Sequence, residues 1–449
     1  MDICIVGCGY VGLVSGACFA EFGWSVTCVD TDAGRIGDLN RGIVPIYEPG
    51  LEDLIARGVA GHRLFFTTDL GAAVAPAEVV FLAVGTPMRR GSGHADLSFV
   101  RQAVQELAPH LAGYTVIATK STVPVGTSRE IESVLRSVNP KADFSVCSNP
   151  EFLREGSAIR DFTHPDRVLV GADDERAMAV LERLYKPLAL RNAPVMFVGR
   201  ESAELAKYAA NAFLAMKISF INEIADLCEA AGGDVQEVAS AIGSDGRIGD
   251  KFLHPGPGYG GSCFPKDIAA LIETGRIKGA RLSLVEQVAE VNAGRKKKMA
   301  ERITAALGGT VAGLTISVLG VTFKPGTDDM REAPSLDIIP ALQQAGARIR
   351  AYDPHGMESA AALIADVAWC GDAFDAADGA DGVVVLTEWN EFRAVDLGAL
   401  ARRMAGNVLI DLRNMFSPED AAAAGLVYHG VGRKPAWPER ASRASVIAG

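Results

Sequence analysis

Apolar and polar positions along the first two hundred residues fall into blocks of two different periods. Short apolar runs at 2–6, 25–29, 79–84, 115–119 and 144–147 have the length and near-continuous apolar character of buried strands. Between them apolar residues recur at helical spacing, as at Leu13, Ala17 and Ala20. Strands alternating with helices in this way predict a parallel sheet covered on both faces, a doubly wound domain reaching to about residue 198. From Glu201 through Ala231 the chain carries no Pro or Gly and is rich in Ala, Leu and Glu, so a single connector helix is predicted there. Such a helix, roughly 45 Å long at about 1.5 Å per residue, offers an apolar flank to a partner. Strand character returns at 315–319, 348–352, 382–386 and 408–410. The predicted fold is α/β, with two doubly wound Rossmann-like domains joined by the long connector helix and a central helical region. The expected divisions are 1–198, 199–311, 312–435 and a mobile tail at 436–449.

A chain of 449 residues exceeds what one core comfortably fills, in keeping with several domains. Hydrophobic residues make up 49% and charged residues 22%, which excludes extensive disorder. The net charge of −11 argues against nucleic acid as a partner, although a local cluster of cations still suits an anionic ligand. No basic leader or membrane-length apolar run is evident, so neither a membrane nor export is expected, and the cytoplasm is the expected location. Eight cysteines without a CxxC pair form no readable disulfide framework or metal site. The basic run at 295–298 is read as a solvated helix face.

Candidate chemistry begins at Gly7-Cys8-Gly9-Tyr10-Val11-Gly12, which follows a strand and opens a helix. In that context the first glycine permits the tight turn, the second lets the backbone approach a pyrophosphate and the third allows close helix packing. Asp30, at the end of the second strand, is placed to take ribose hydroxyls and repel a 2′-phosphate, which favours NAD over NADP. Arg35 follows as a candidate beside the adenosine. The second α/β half has Gly320 after a strand but no full fingerprint, so the cofactor belongs to the first half. Cys263, between Gly260-Gly261-Ser262 and Phe264-Pro265-Lys266-Asp267, suits a helix start with Ser262 as cap, where a thiol is activated as a nucleophile. Lys207 and Asn211 share a face of the connector helix and can converge on one ligand oxygen. Asp267 stands four residues past Cys263, on the same helical face.

Further motifs resemble the UDP-glucose/GDP-mannose dehydrogenase family over nearly the whole chain. They are the glycine loop, Val84-Gly-Thr86-Pro87, Lys120-Ser-Thr122-Val-Pro-Val-Gly-Thr127, Asn149-Pro-Glu151-Phe152-Leu153-Arg154-Glu155-Gly156, Lys207-Tyr-Ala-Ala-Asn211, Gly258-Tyr259-Gly260-Gly-Ser-Cys263-Phe-Pro-Lys266-Asp267 and Phe323-Lys324-Pro-Gly-Thr-Asp-Asp-Met-Arg331. The resemblance implies a four-electron oxidation in two steps through a thioester on Cys263, with Asp267 assisting the first oxidation and Glu151 with Thr122 activating the hydrolytic water. It places Thr86, Pro87, Thr122, Glu155, Lys266 and Arg331 on the cofactor side. Glu151, Phe152, Leu153, Arg154, Lys207, Asn211, Phe252, His254, Tyr259, Gly260, Phe323 and Lys324 fall on the substrate side, and Arg413 is a further candidate there. His254 departs from the Lys of animal relatives, which makes any phosphate contact pH-dependent. Arg247 resembles an arginine that reaches the neighbouring subunit's substrate, and a homodimer through the central helical region is implied. The motifs match the UDP-glucose branch more closely than the GDP-mannose or UDP-N-acetylmannosamine branches. A two-electron β-hydroxyacid dehydrogenase would have no use for Cys263 or the second α/β half, and a non-enzymatic sensor would lack a catalytic residue.

Overall fold

A computed structural model describes residues 1–88 and 95–438. Two compact units divide the chain: 1–212 with 266–282, and 213–265 with 283–449. The expected mobile tail lies, from residue 439 onward, outside the described residues.

The first unit holds an eight-stranded sheet: β1 (Asp2–Val6), β2 (Ser25–Val29), β3 (Leu64–Thr67), β4 (Val79–Leu82), β5 (Thr115–Thr119), β6 (Phe144–Ser148), β7 (Val168–Gly171) and β8 (Val195–Val198). Its order is β3-β2-β1-β4-β5-β6-β7-β8, and every pair is parallel except β6 with β7. The six strands β1 to β6 thus have the 3-2-1-4-5-6 order of the doubly wound dinucleotide fold, whose crevice opens where the order reverses, between β1 and β4. Both faces are buried, one around Phe19, Phe81, Leu181 and Tyr185 and the other around Val80, Leu82, Val104 and Leu135. That two-sided burial explains why these strands read as unbroken apolar runs.

The second unit carries β9 (Thr315–Leu319), β10 (Arg348–Tyr352), β11 (Val367–Trp369), β12 (Gly382–Val385), β13 (Val408–Asp411) and β14 (Val427–Gly430). Their order, β11-β10-β9-β12-β13-β14, reproduces the same 3-2-1-4-5-6 winding, all parallel. The connector helix runs Arg200–Ala231, one residue longer than the sequence pattern predicted.

Arg295 and Lys296 are not a solvated face. Both are buried on the helix Ser283–Ala306, while Lys297 and Lys298 are exposed. Arg295 donates from Nε to the Gly256 carbonyl (3.1 Å) and from Nη1 to the Asn222 carbonyl (3.2 Å) and the Asp226 carboxylate. Lys296 donates to the Glu332 carbonyl at 2.9 Å. These cations serve the interior because they satisfy the Gly256 and Glu332 carbonyls, which lie in loops outside any helix or strand.

Candidate active site

In the first unit the glycine loop leaves β1 at Gly7, whose φ of +108° and a hypothetical Cβ 2.7 Å from the Ala83 carbonyl exclude any other residue. At Gly12 the same atom would lie 1.9 Å from the Gly7 carbonyl oxygen, so helix and strand pack through the missing side chain. Gly9 instead has open space there and stands at the N-cap of the helix Tyr10–Glu21, with no side chain capping it. A helix N-terminus with free amides and an unobstructed approach is a fit for a pyrophosphate. Asp30, directly after β2, accepts the Cys8 amide (2.8 Å) and Arg35 Nη1 (3.1 Å) on Oδ2, and the Asp32 amide (3.0 Å) on Oδ1. The carboxylate therefore orients the glycine loop. Arg35 is turned to Asp30. Val11, like Tyr10, is half-buried.

Tyr10 hydrogen-bonds to Glu48, a buried carboxylate that also accepts the Gly156 amide (2.6 Å) and the Ala158 amide (2.7 Å). Burial first, and then this carboxylate, raise the Tyr10 hydroxyl well above its usual range. Glu48 thus fastens the dinucleotide loop to the segment carrying Phe152, Leu153, Arg154 and Glu155. Sequence reasoning did not single it out, because an acid in Tyr47-Glu48-Pro49-Gly50 looks like an ordinary loop residue.

The predicted catalytic residues of this unit fall into two groups of contacts, one around Asp267 and one around Glu151 and Phe152. Asn211, on the connector helix, donates to Asp267 Oδ2 at 2.6 Å. Lys266 Nζ stands 3.1 Å from Asp267 Oδ1 and 3.5 Å from the Thr86 hydroxyl, which donates to the Thr122 carbonyl at 3.0 Å. Asp267 is buried, and its Oδ1 lacks a well-aligned hydrogen bond, so the ionic contact with Lys266 is its main support. A buried carboxylate oxygen left in this state is poised to take a proton donor from a ligand. Asn211 is turned to Asp267, whereas Lys207, also buried, places Nζ 4.9 Å from the centroid of the Phe152 ring. Glu151 accepts Lys120 Nζ (2.7 Å) on Oε2 and the Phe152 amide (2.7 Å) on Oε1. Arg154 makes a two-pronged pair with Asp161, 2.9 Å from Nε and 2.6 Å from Nη2. Pro87 lies in the loop after β4, and Glu155 is half-buried beside Gly156.

In the second unit Cys263 is the one exposed thiol of eight; burial pushes those of Cys4 and Cys147 up to about 12, which leaves them inert. The helix Phe264–Ile277 begins immediately after it, so Cys263 rather than Ser262 occupies the cap position. Its loop is closely held. A Cβ on Gly260 would lie 2.2 Å from the Glu332 carbonyl oxygen, and one on Gly261 would meet the Phe323 ring at 2.7 Å. The Gly261 amide donates to the Arg331 carbonyl at 2.7 Å, and Asn292 brackets the backbone of Tyr259 with bonds of 2.8 and 3.0 Å. Phe264 packs on Tyr259 and Phe252 with ring centroids 5.9 and 6.1 Å apart. The 323–331 loop and the cysteine loop are therefore neighbours. Lys324 stands 5.2 Å from the Phe323 ring centroid, Arg331 pairs with Asp329 at 2.8 Å, and Arg413 donates to the carbonyls of Leu386 (2.7 Å) and Phe323 (3.3 Å). His254 is exposed, and Arg247 is 90% exposed and paired with Asp245.

The family model of the UDP-glucose/GDP-mannose dehydrogenases matches in three parts: the NAD binding domain over residues 1–189, the central domain over 201–294 and the UDP binding domain over 317–418. The chain belongs to that family. It is 55% identical over 435 residues to the UDP-glucose 6-dehydrogenase of Rhizobium meliloti, covering 96% of this chain and all of that one. Against UDP-glucose 6-dehydrogenase TuaD of Bacillus subtilis the identity is 46%, covering 96% and 93%. Among solved structures, a UDP-glucose dehydrogenase from the archaeon Pyrobaculum islandicum superposes with a TM-score of 0.88 at 37% identity, covering 96% of this chain and 98% of that one. This dehydrogenase uses NAD, and the open Gly9, the uncapped helix and Asp30 are the part of the chain that fits it. Among the described residues no cluster of His, Cys, Asp and Glu could hold a metal, and no helix is long and apolar enough to cross a membrane.

Proposed function

We propose that this dehydrogenase oxidises the C6 alcohol of UDP-glucose to a carboxylate, in two successive two-electron steps through a thioester on Cys263. One observation carries the reading: the single exposed thiol caps the helix whose first turn presents Asp267, itself bound to Asn211 of the connector helix. The relatives' names supply the substrate class. NAD, when bound, supplies the electron acceptor for both oxidations.

In the first step Asp267, with its underserved Oδ1, takes the proton of the C6 hydroxyl, directly or through a water. Lys207 and Asn211 stabilise the oxygen as charge develops, and loss of one such donor costs roughly 3 to 4 kcal/mol. The sulfur of Cys263 then bonds to the aldehyde carbon, and the second oxidation leaves a thioester. Water, positioned by Thr122 and deprotonated by Glu151, attacks that carbon. The C–S bond breaks, sulfur regains its proton, and the acid leaves as a carboxylate. Phe152, Leu153, Tyr259, Phe323 and Lys324 form the substrate side in this scheme, with Arg413 a further contact. A division at 1–198, 199–311 and 312–435 goes with it, the last part holding the nucleotide.

The same reading includes a homodimer through the central helical region. Phe213, Phe220 and Leu227 are exposed at seven-residue spacing on the connector helix, a stripe on one face that water alone would leave costly. Arg247 would then reach the neighbour's substrate. A cytoplasmic location suits eight unpaired thiols.

The test is incubation with NAD and a panel of UDP-glucose, GDP-mannose and UDP-N-acetylmannosamine, counting NADH per carboxylate. Two NADH per carboxylate from UDP-glucose is expected. One NADH per product, or preference for another sugar nucleotide, overturns the reading. Glu151→Gln should stall after a burst approaching two NADH per site, with a mass increase on the Cys263 peptide.

A further inference from the structure

Lys120 lies one residue beyond β5 and Glu151 three beyond β6, at the carboxyl ends of adjacent parallel strands, where open α/β sheets bind ligands. The pair between them is asymmetric. The Lys120 side chain is 4% exposed, while that of Glu151 keeps 14%. The ammonium is enclosed by three aromatic rings, 5.6 Å from the centroids of Phe81 and Tyr185 and 5.5 Å from that of Phe162. Burial works against its charge, but the Glu151 carboxylate and then Tyr185 outweigh that and raise its pKa. Tyr185 is itself fixed by the Asn149 side-chain oxygen, whose amide nitrogen donates to the Leu169 carbonyl at 2.8 Å. Both strand ends are anchored as well: the Lys120 amide donates to the Leu82 carbonyl and the Asn149 amide to that of Thr119, each at 2.9 Å.

A buried ion pair is a poor device for stability, because an apolar pair of the same volume serves as well or better. What this one does is fix a carboxylate. Of the roughly four lone-pair sites on a carboxylate, Lys120 and the Phe152 amide occupy one on each oxygen of Glu151, which sets its plane and leaves the remaining sites directed. We propose that Lys120 is a positioning residue for thioester hydrolysis, holding Glu151 from behind so that its free lone pair meets the attacking water. The inference rests on the hydrolytic role proposed for Glu151. Lys120 touches neither substrate nor water in this scheme, and hydride transfer does not involve it.

The experiment compares Lys120→Met and Lys120→Arg with Glu151→Gln in the full-length protein, using NAD and UDP-glucose. Either Lys120 variant should keep the first-turnover NADH burst at the native rate. Steady-state kcat should fall about 100-fold, the effect of roughly 1 Å of misplacement, and a glucuronyl adduct should accumulate on Cys263. Burst and steady state falling in equal proportion without adduct would make Lys120 merely structural and overturn the proposal, as would failure of both variants to fold. Native steady-state turnover in a folded variant overturns it too. The Glu151→Gln arm separates the two readings: if it gives no adduct, the assignment of the base has failed, and the inference falls with it. If it gives adduct and the Lys120 variants do not, only the positioning role has failed.

Discussion

Asp30 has two duties that a pair of substitutions can separate. Its Oδ2 takes the Cys8 amide at 2.8 Å and so holds the glycine loop, and its charge is proposed to meet the adenosine ribose. Asp30→Asn keeps an oxygen for the Cys8 amide and removes the charge, whereas Asp30→Ala removes both. Unit charges about 4 Å apart at an effective dielectric near 20 interact by about 4 kcal/mol, which bounds the repulsion a 2′-phosphate meets. Arg35, 3.1 Å from the same carboxylate, already offsets part of that charge and would turn to the phosphate once released. A net change of about 1.4 to 2.7 kcal/mol is expected, about 10- to 100-fold in the ratio of kcat/KM for NAD over NADP. In the alanine variant the Cys8 amide loses a charge-assisted bond worth about 1.5 to 3 kcal/mol, so it should also melt earlier and bind both cofactors more weakly. The assay is kcat/KM for each cofactor alongside Tm. If Asn leaves the ratio within threefold of native, the carboxylate does not set cofactor choice. If Ala and Asn melt together, the tie to the glycine loop carries no weight.

Arg295→Met should lower the urea midpoint by an amount equivalent to about 2 to 4 kcal/mol, because the buried Gly256 carbonyl loses its donor and Asp226 its cation; a cost below about 0.5 kcal/mol would refute that role. Burial first, then Arg302, lower the pKa of His429, so the unfolded chain binds its proton more readily. Stability should therefore fall as pH drops through about 6.5 toward the native-state value, and His429→Gln should flatten that slope; identical Tm profiles from pH 7.5 to 5 would contradict it. Phe220→Glu should shift the chain to monomer by light scattering, and an unchanged mass would remove the connector helix from the interface. Mixing inactive Arg247→Ala with inactive Cys263→Ala should restore activity through hybrid dimers, and no recovery despite proven subunit exchange would place Arg247 outside the neighbour's site.

What the sequence revealed follows from the range of each interaction. The fingerprint, the long helix and nine strands are local patterns, and they stand in the structure within a residue or two. β3, β7, β8, β11 and β14 were not read; strands of three or four residues carry few positions for a period, although β4, β12 and β13, as short, were recognised. Glu48 and Lys120 were missed for a different reason: their partners lie 108 and 31 residues away, and only the fold brings them together. The run at 295–298 was misread from composition although phase would have corrected it. Val288, Asn292, Arg295, Met299 and Ile303 recur every three or four residues, one buried face in which Arg295 is included.

The two sheets share a winding and even the first bonds of a dinucleotide site, yet their switch points have diverged. After β1 the Gly7 amide donates to Val29, and the next amide, Cys8, to Asp30; after β9 the Gly320 amide donates to Tyr352, and the next, Val321, to Asp353. The difference is in what else the acid holds. Asp353 is fully buried, with Oδ2 also accepting the Thr322 amide (3.1 Å), the Thr322 hydroxyl (3.2 Å) and Trp389 Nε1 (3.0 Å), and Oδ1 the amides of His355 (3.0 Å) and Gly356 (2.7 Å). Six donors leave that carboxylate nothing to offer a ribose, and removing any of them strands a polar group in the interior. Asp30, with three donors, keeps one acceptor site unfilled. The second fold should therefore take no dinucleotide, and calorimetric titration with NAD should give one site per chain, abolished by bulk at Gly9 and untouched by substitutions at Trp389 that leave the chain folded. Two NAD sites per chain would refute this division of labour.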